Sequence, residues 1–266
     1  MSFTIDMSGQ VVLVTGGARG VGDGIATTFL RAGADVEICG RTVPGSVREV
    51  DGRRARFSTV DVRDAAAVTA WVADVAERHG RVDVAVNNVG GGPFAPFAES
   101  PPRRLARILE LNFLSAVHVC HAVHPIMMRT GGGVVLNITS LSARRPSPGT
   151  AIYGAAKAAL ENLTSTLAVE WAPHIRVNAV SCGMVATPGS MEHYGDADQV
   201  ARIAATIPVG AFATPEEIGG ACLLLASPLA SYVTGAVLRA DGGGEWPPFL
   251  LHSRNAGPQS HAQSPA

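Results

Sequence analysis

The sequence predicts an α/β domain, a parallel sheet with helices packed on both of its faces. Three observations carry that prediction. Short apolar, β-branched runs alternate with longer segments of helical period along the chain, which is the βαβα order of a parallel sheet. The first run passes directly into a glycine cluster, Thr15-Gly16-Gly17-Ala18-Arg19-Gly20-Val21-Gly22, and a helical pattern follows at once. The 266 residues show no internal repeat and no interdomain linker, a length that suits one large domain of this class.

The strands are expected at 11–14, 36–39, 56–60, 82–87, 134–138, 176–180 and 236–239, each a short run rich in Val, Ile and Ala. Between them, apolar residues recurring at three and four positions predict helices at 21–32, 64–79, 102–129, 151–171, 197–206 and 215–226. Residues 184–210 hold Met184, Val185, Met191, Tyr194, Ile203 and Ile207 without a strong regular period over the whole stretch. After Trp246 the composition shifts to Pro, Ser, Gln, His and Ala, so residues 1–246 are expected to form the domain and 247–266 a tail.

Composition narrows the function classes. A net charge of −1 with acids and arginines interspersed leaves no electrostatic footprint for nucleic acid. The four cysteines, Cys39, Cys120, Cys182 and Cys222, form no C-x-x-C pair, so reduced thiols in a cytoplasm are the plain expectation. The first ten residues lack a basic region followed by an apolar one, and no unbroken apolar run reaches the length of a membrane span.

Lys157 is the only lysine, and it follows a tyrosine by four residues in Tyr153-Gly-Ala-Ala-Lys157. Every other long basic side chain is an arginine, a wide rigid fork where an ammonium is a compact charge with three rotating donors. At this spacing the two side chains share one helix face. A cation there is expected to favour phenolate and lower the tyrosine pKa, making it a general acid/base near neutral pH. The competing reading is a chance pair on a solvated face. The glycines at 16, 20 and 22 allow a tight turn whose following helix offers free N–H groups to a pyrophosphate, although a structural turn would use the same residues.

Together these residues resemble the short-chain dehydrogenase/reductase family over residues 8 to about 245. The resemblance rests on an ordered set: the glycine loop, Asp61-Val62, Asn87-Asn88-Val89-Gly90, Asn112, Ser140, Tyr153, Lys157, Arg176-Val177-Asn178 and Asp241-Gly242-Gly243. It implies a Rossmann-type doubly wound sheet, a nicotinamide cofactor and an oxidoreductase acting on a small-molecule alcohol or ketone. Ser140, 13 residues before Tyr153, would hold the substrate oxygen, with Thr139 as the rival hydroxyl. Asn112 falls on the apolar stripe of its helix with Leu105, Ile108, Ala116, Val119 and Val123. The resemblance gives it a proton-relay role toward Lys157, and satisfaction by local backbone is the alternative. Gly16, Arg19, Gly20, Val21, Asn88 and Gly90 are the implied cofactor contacts on one side, with Gly183, Val185 and Thr187 on the other. Asp61 and Val62 would flank the adenine, and segment 184–210 would be the substrate lid.

Cofactor choice rests on Gly40-Arg41, where a 2′-hydroxyl reader would be acidic. Glycine leaves room and Arg41 offers a charge-matched fork to a 2′-phosphate, with Arg19 of the glycine loop a second candidate from the opposite side, so NADP(H) is preferred over NAD(H). The competing reading of Arg41 is a solvated turn residue. Phe94 and Phe97 with the apolar lid residues predict a hydrophobic substrate such as a 3-oxoacyl or other ketone. Arg144 and Arg145 are candidates for an anionic tail, or solvated loop residues. Oxidation of steroid-like or hydroxyacyl substrates, or cofactor sensing without turnover, are the alternatives. Two departures from the family pattern stand out, Cys182 where proline is usual and Val89 where alanine is. His118, His121 and His124 lie away from the Asn112 stripe with no acidic or cysteine cluster, so no metal site is expected. By resemblance the helices at 102–129 and 151–171 form a subunit interface in a homotetramer.

Overall fold

The computed structural model describes residues 4–247, 249 and 250, with backbone alone for 191–193. Its first strand, β1 (Val11–Thr15), is buried along its whole length, which is why its sequence is an unbroken apolar run. Successive side chains go to opposite faces. Val12 and Val14 join a core with α1 (Gly20–Arg31), β2 (Asp35–Gly40) and, from later in the chain, α8 (Pro215–Ala226). Val11 and Leu13 join a second core on the other face. Each fully buried Val or Leu contributes roughly 1.5–3 kcal/mol.

After β2 comes a feature the sequence reading missed, a two-stranded hairpin of β3 (Glu49–Val50) and β4 (Arg53–Arg54). Its turn is Asp51-Gly52, both at positive φ (52° and 75°). Such a dipeptide is a hairpin signal, but the strands it joins are too short and polar to show an alternating pattern. The chain continues through β5 (Arg56–Thr59), α2 (Ala65–His79) and β6 (Val84–Asn87). Asp64 caps α2 by accepting from the Ala66 and Ala67 amides, and Gly80 ends it in the left-handed conformation.

The helix expected at 102–129 is interrupted. It consists of α3 (Pro102–Leu109), a π-turn at Glu110–Leu114 and α4 (Ser115–Arg129). Asn112 causes and fills the irregularity. Its Nδ2 donates to Ile108 O at 2.8 Å, the carbonyl that an uninterrupted helix would offer to the Asn112 backbone N–H. By length and mean hydropathy (1.2) the run Pro102–Arg129 passes for a membrane span although polar residues interrupt it, and half of its most apolar window is buried inside the fold.

The remaining elements are β7 (Gly133–Ser140), α5 (Ala151–Glu170), β8 (Ile175–Cys182), α6 (Pro188–Tyr194), α7 (Ala197–Ala204), α8 and β9 (Val237–Ala240). Capping boxes start α7 (Asp196/Gln199) and α8 (Thr214/Glu217). All seven expected strands form one parallel sheet in the order β5-β2-β1-β6-β7-β8-β9. β7 and β8 run two residues beyond their expected ends, which sets Ser140 beside Cys182 in register. The order reverses between β1 and β6, and the crevice beyond their C-terminal ends is where such sheets take ligands. The helix α6 inside 184–210 was not expected. The tail expected at 247–266 lies, at 248 and from 251 on, outside the described residues.

Candidate active site

The glycine loop leaves β1 at the sheet edge, and Thr15 ties it to β6. Thr15 Oγ1 accepts from the Asn88 and Val89 amides at 3.0 and 3.1 Å, and the Asn88 side chain donates back to Thr15 O at 2.9 Å. Asn88 therefore positions the loop. Gly16 and Gly20 have φ of 66° and 56°, and a Cβ on Gly22 would stand 2.3 Å from Gly16 O, so the turn closes only with glycines. Arg19 is the N-cap of α1 but makes no capping bond with its side chain, leaving the first turn of α1 without a side-chain cap. The arrangement fits a pyrophosphate.

Ser140 ends β7, and Tyr153 and Lys157 stand one turn apart on α5. Lys157 is 3% exposed, and its Nζ donates to Ile138 O at 2.9 Å. Nζ is 5.8 Å from the centre of the Tyr153 ring. Burial drives the lysine pKa from 10.5 down to about 8, with Cys182 acting weakly the other way. The expected lowering at Tyr153 is not what the structure gives. Burial raises the phenol above its ordinary value, and the opposing influence is the Ser140 hydroxyl rather than the ammonium. Desolvation of the ring dominates, although Lys157 Nζ lies over it.

Asn112 stands next to the pair. It accepts from Gly91 N and donates to Gly91 O, both at 2.8 Å. A methyl group on Gly90 would fall 2.7 Å from Asn112 Oδ1 and 2.9 Å from Lys157 Nζ, so this glycine admits both polar groups to one spot. With Ile108 O as its third partner, the Asn112 side chain is satisfied by backbone.

Around this centre lie the outer candidates. Arg41 is exposed at the C-terminal end of β2 and within electrostatic reach of Asp61. Asp61 is ion-paired to Arg63, a residue sequence reasoning passed over, and that contact holds the carboxyl down at about 2. Val62 is buried beside it. Across the crevice, Gly183 abuts Asp241, Val185 bridges to Ala213, and the Thr187 methyl comes within 3.6 Å of where a Gly20 side chain would begin. The strip 183–187 thus faces the glycine loop. Tyr194 of α6 donates to Met184 Sδ at 3.1 Å and is within electrostatic reach of Tyr153.

Other candidates separate from the site. Thr139, the rival of Ser140, is buried and bonds Glu161 at 3.0 Å. Arg144 pairs with the same glutamate, whereas Arg145 reaches Glu245 at 3.1 Å. His118 contacts Val62 O, His124 packs on Trp171 and His121 is exposed, and no metal-holding cluster occurs among the described residues. Cys182 is buried and burial pushes its thiol up to about 12, which makes it inert as a nucleophile. The roles of the Ile138 and Gly91 backbone groups carry no side-chain signature that sequence reasoning could have used, and that of Thr15 Oγ1 depends on contacts at the end of β6 more than 70 residues away. A narrow crevice beside Tyr153 is lined by Phe97, Leu105, Ile108, Ala151 and Ile152.

The family model described as enoyl-(acyl carrier protein) reductase matches residues 16–245. A 3α-hydroxysteroid dehydrogenase of Mediterraneibacter gnavus is 35% identical over 244 residues, covering 89% of this chain and 97% of that protein. A 3-oxoacyl-(acyl-carrier-protein) reductase of Chlamydia muridarum is 34% identical, covering 88% and 96%. A solved 7α-hydroxysteroid dehydrogenase, complexed with NADH and 7-oxo glycochenodeoxycholic acid, superposes with a TM-score of 0.83 at 29% identity, covering 93% of this chain and 99% of that one.

Proposed function

The chain belongs to the short-chain dehydrogenase/reductase family and is an oxidoreductase of alcohols and ketones; from that premise we propose that it uses NADP(H) to reduce a hydrophobic ketone. The observation that carries the reading is the seating of Lys157, buried, fixed by Ile138 O and one helical turn from Tyr153. In reduction Tyr153 Oη gives its proton to the substrate oxygen while Ser140 Oγ hydrogen-bonds that oxygen. Burial raises the phenol above its ordinary value, which keeps it in the protonated form that donates in reduction. The nicotinamide, when bound, supplies the hydride. Lys157 holds the nicotinamide ribose, and Asn112 keeps the Gly90-Gly91 backbone beside it and relays protons toward the ammonium.

Gly16, Gly20 and Val21 hold the pyrophosphate, Asp61 and Val62 the adenine, and Gly183, Val185 and Thr187 the carboxamide. Asn88 and Gly90 border the adjoining ribose. Arg19 and Arg41 take the 2′-phosphate, so NADPH binds more tightly than NADH. The exposed Phe94 and Phe97 and the apolar crevice beside Tyr153 support a hydrophobic substrate. Residues 1–246 act as the catalytic domain with 184–210 as lid, in a cytoplasmic homotetramer with no nucleic-acid or membrane partner.

Titrating the protein with NADPH and NADH, following cofactor fluorescence, tests the cofactor assignment. The expected margin is on the order of ten- to a hundredfold for NADPH, largely lost in Arg41→Ala. Equal dissociation constants in the unaltered protein overturn it. Loss of NADPH absorbance with a panel of ketones separates turnover from mere cofactor binding.

A further inference from the structure

The two arginines that follow Ser140 have different surroundings. Arg144 Nε turns back to Glu161 of α5 at 2.9 Å, a carboxylate that also takes the Thr139 hydroxyl, so its charge is committed to the flank of the helix. Arg145 crosses to the segment after β9 and meets Glu245 Oε1 at 3.1 Å. Its Nη1 donates to Pro146 O at 3.1 Å, and its Nε is buried with no hydrogen-bond acceptor. Arg176 shows the contrast. Its guanidinium donates to the carbonyls of Leu225, Ala226, Ser227 and Val233, which makes it a structural staple.

Arg145 and Glu245 belong to the catalytic neighbourhood. Tyr194 lies within electrostatic reach of both, and Tyr153 within reach of Tyr194, so the guanidinium is one tyrosine away from the proton-donating phenol. Glu245 sits on a segment tied to the end of α7: Trp246 N donates to Thr206 O at 2.9 Å, and Val209 N to Gly242 O at 3.1 Å. The pair thus spans from the Ser140 loop to the segment that anchors the lid. Both side chains are about one-third exposed, 32% and 35%, and an ion pair that wet adds little stability of its own. Replacing one carboxylate by another at the exposed edge of the guanidinium therefore costs little, whereas the buried Nε stays out of a ligand's reach.

We propose that Arg145 is a recognition site for a carboxylate on the substrate, remote from the reacting carbonyl, with Glu245 as the internal group it displaces. This rests on the reading of the chain as a ketone and alcohol oxidoreductase.

Two near-isosteric ketones that differ in charge test it, the para-carboxamide and the para-carboxylate of 4-phenylbutan-2-one. Calorimetry in the presence of oxidised cofactor, where no ketone reduction takes place, gives their relative affinities, and NADPH-dependent turnover gives the ratio of kcat/KM. The unaltered protein should favour the carboxylate by about threefold, a margin kept small by competition with Glu245. Glu245→Gln frees the guanidinium and should raise it to about tenfold or more. Arg145→Gln leaves Glu245 facing the ligand and should reverse the preference. A clasp that merely closes the lid would shift both ketones equally in both variants, and that result, or an unchanged ratio in Arg145→Gln, overturns the assignment. Thermal unfolding checks that each variant is folded. A binding margin that responds to the variants without any turnover would uphold Arg145 and sink the oxidoreductase reading. Turnover of both ketones with no charge preference in any variant would do the reverse.

Discussion

Lys157 was conspicuous in the sequence as the one lysine, and the structure explains why an arginine would not serve. Its Nζ occupies a slot bounded by Ile138 O, Gly90, Cys182 and Tyr153, too narrow for a planar guanidinium. Lys157→Arg is expected to lower kcat about a hundredfold, since a positioning group displaced by roughly 1 Å costs that much. Retention of more than about a third of kcat would show that charge alone suffices. What the sequence could not show was the sign of the tyrosine shift, because burial of the phenol depends on the whole lid and loop environment. The lysine value of about 8 has consequences for pH. Between about 8 and 10.5 the unfolded chain binds more protons at this site than the folded one, so the site makes stability rise with pH across that window. Below it the cost of burying the ammonium is fully present. Lys157→Met should therefore gain most in melting temperature near pH 7 and lose the advantage toward pH 10.5. Ketone reduction should decline as pH passes about 8, where the ammonium loses its proton. A rate that stays flat to pH 10 would show that the charge on Lys157 does not matter to the step.

At the scale of elements, every strand of the seven-stranded sheet and nearly every helix was legible, because a sheet covered on both faces demands unbroken apolar runs and its helices demand a 3.6-residue period. The failures were local. The 49–54 hairpin lacks an apolar face, α6 is only seven residues long, and the 102–129 helix looked continuous because a π-turn hardly disturbs the spacing of apolar residues. That π-turn is set by Asn112, whose side chain holds Gly91 at both backbone groups and Ile108 at its carbonyl. Asn112→Ala removes the side-chain partner of three partly buried backbone groups, at a cost of about 1–3 kcal/mol for each that water cannot reach. The expected result is a lower denaturation midpoint together with reduced kcat, as the Gly90-Gly91 backbone drifts from Lys157. A variant with unaltered stability would mean that the π-turn is fixed by packing instead. Gly22→Ala tests the other end of the crevice. Its methyl would meet Gly16 O at 2.3 Å, so cofactor affinity should fall at least tenfold even if the protein still folds.

For the whole molecule, the exposed apolar side chains are the argument for the proposed assembly. Leu109, Leu114, Met128 and Val169 project from the α3–α5 region, with Val169 80% exposed. Leu224, Leu229 and Tyr232 project around α8 and the approach to β9, an edge strand of the sheet, and Tyr232 is fully exposed. Large apolar side chains gathered on a surface mark contacts with another chain. One two-fold contact covers one such region twice, so we propose that two regions on different elements serve two different two-fold contacts and that the assembly closes as a tetramer. Light scattering at micromolar concentration should then give four times the chain mass of 27.4 kDa. Val169→Glu and Tyr232→Glu each place a charge in one region only, so each should stop assembly at a dimer, and the two together should give a monomer. The order of loss separates this account from a single extended interface, for which either substitution alone would release monomers. A monomeric unaltered protein would remove the apolar regions as an argument for assembly altogether.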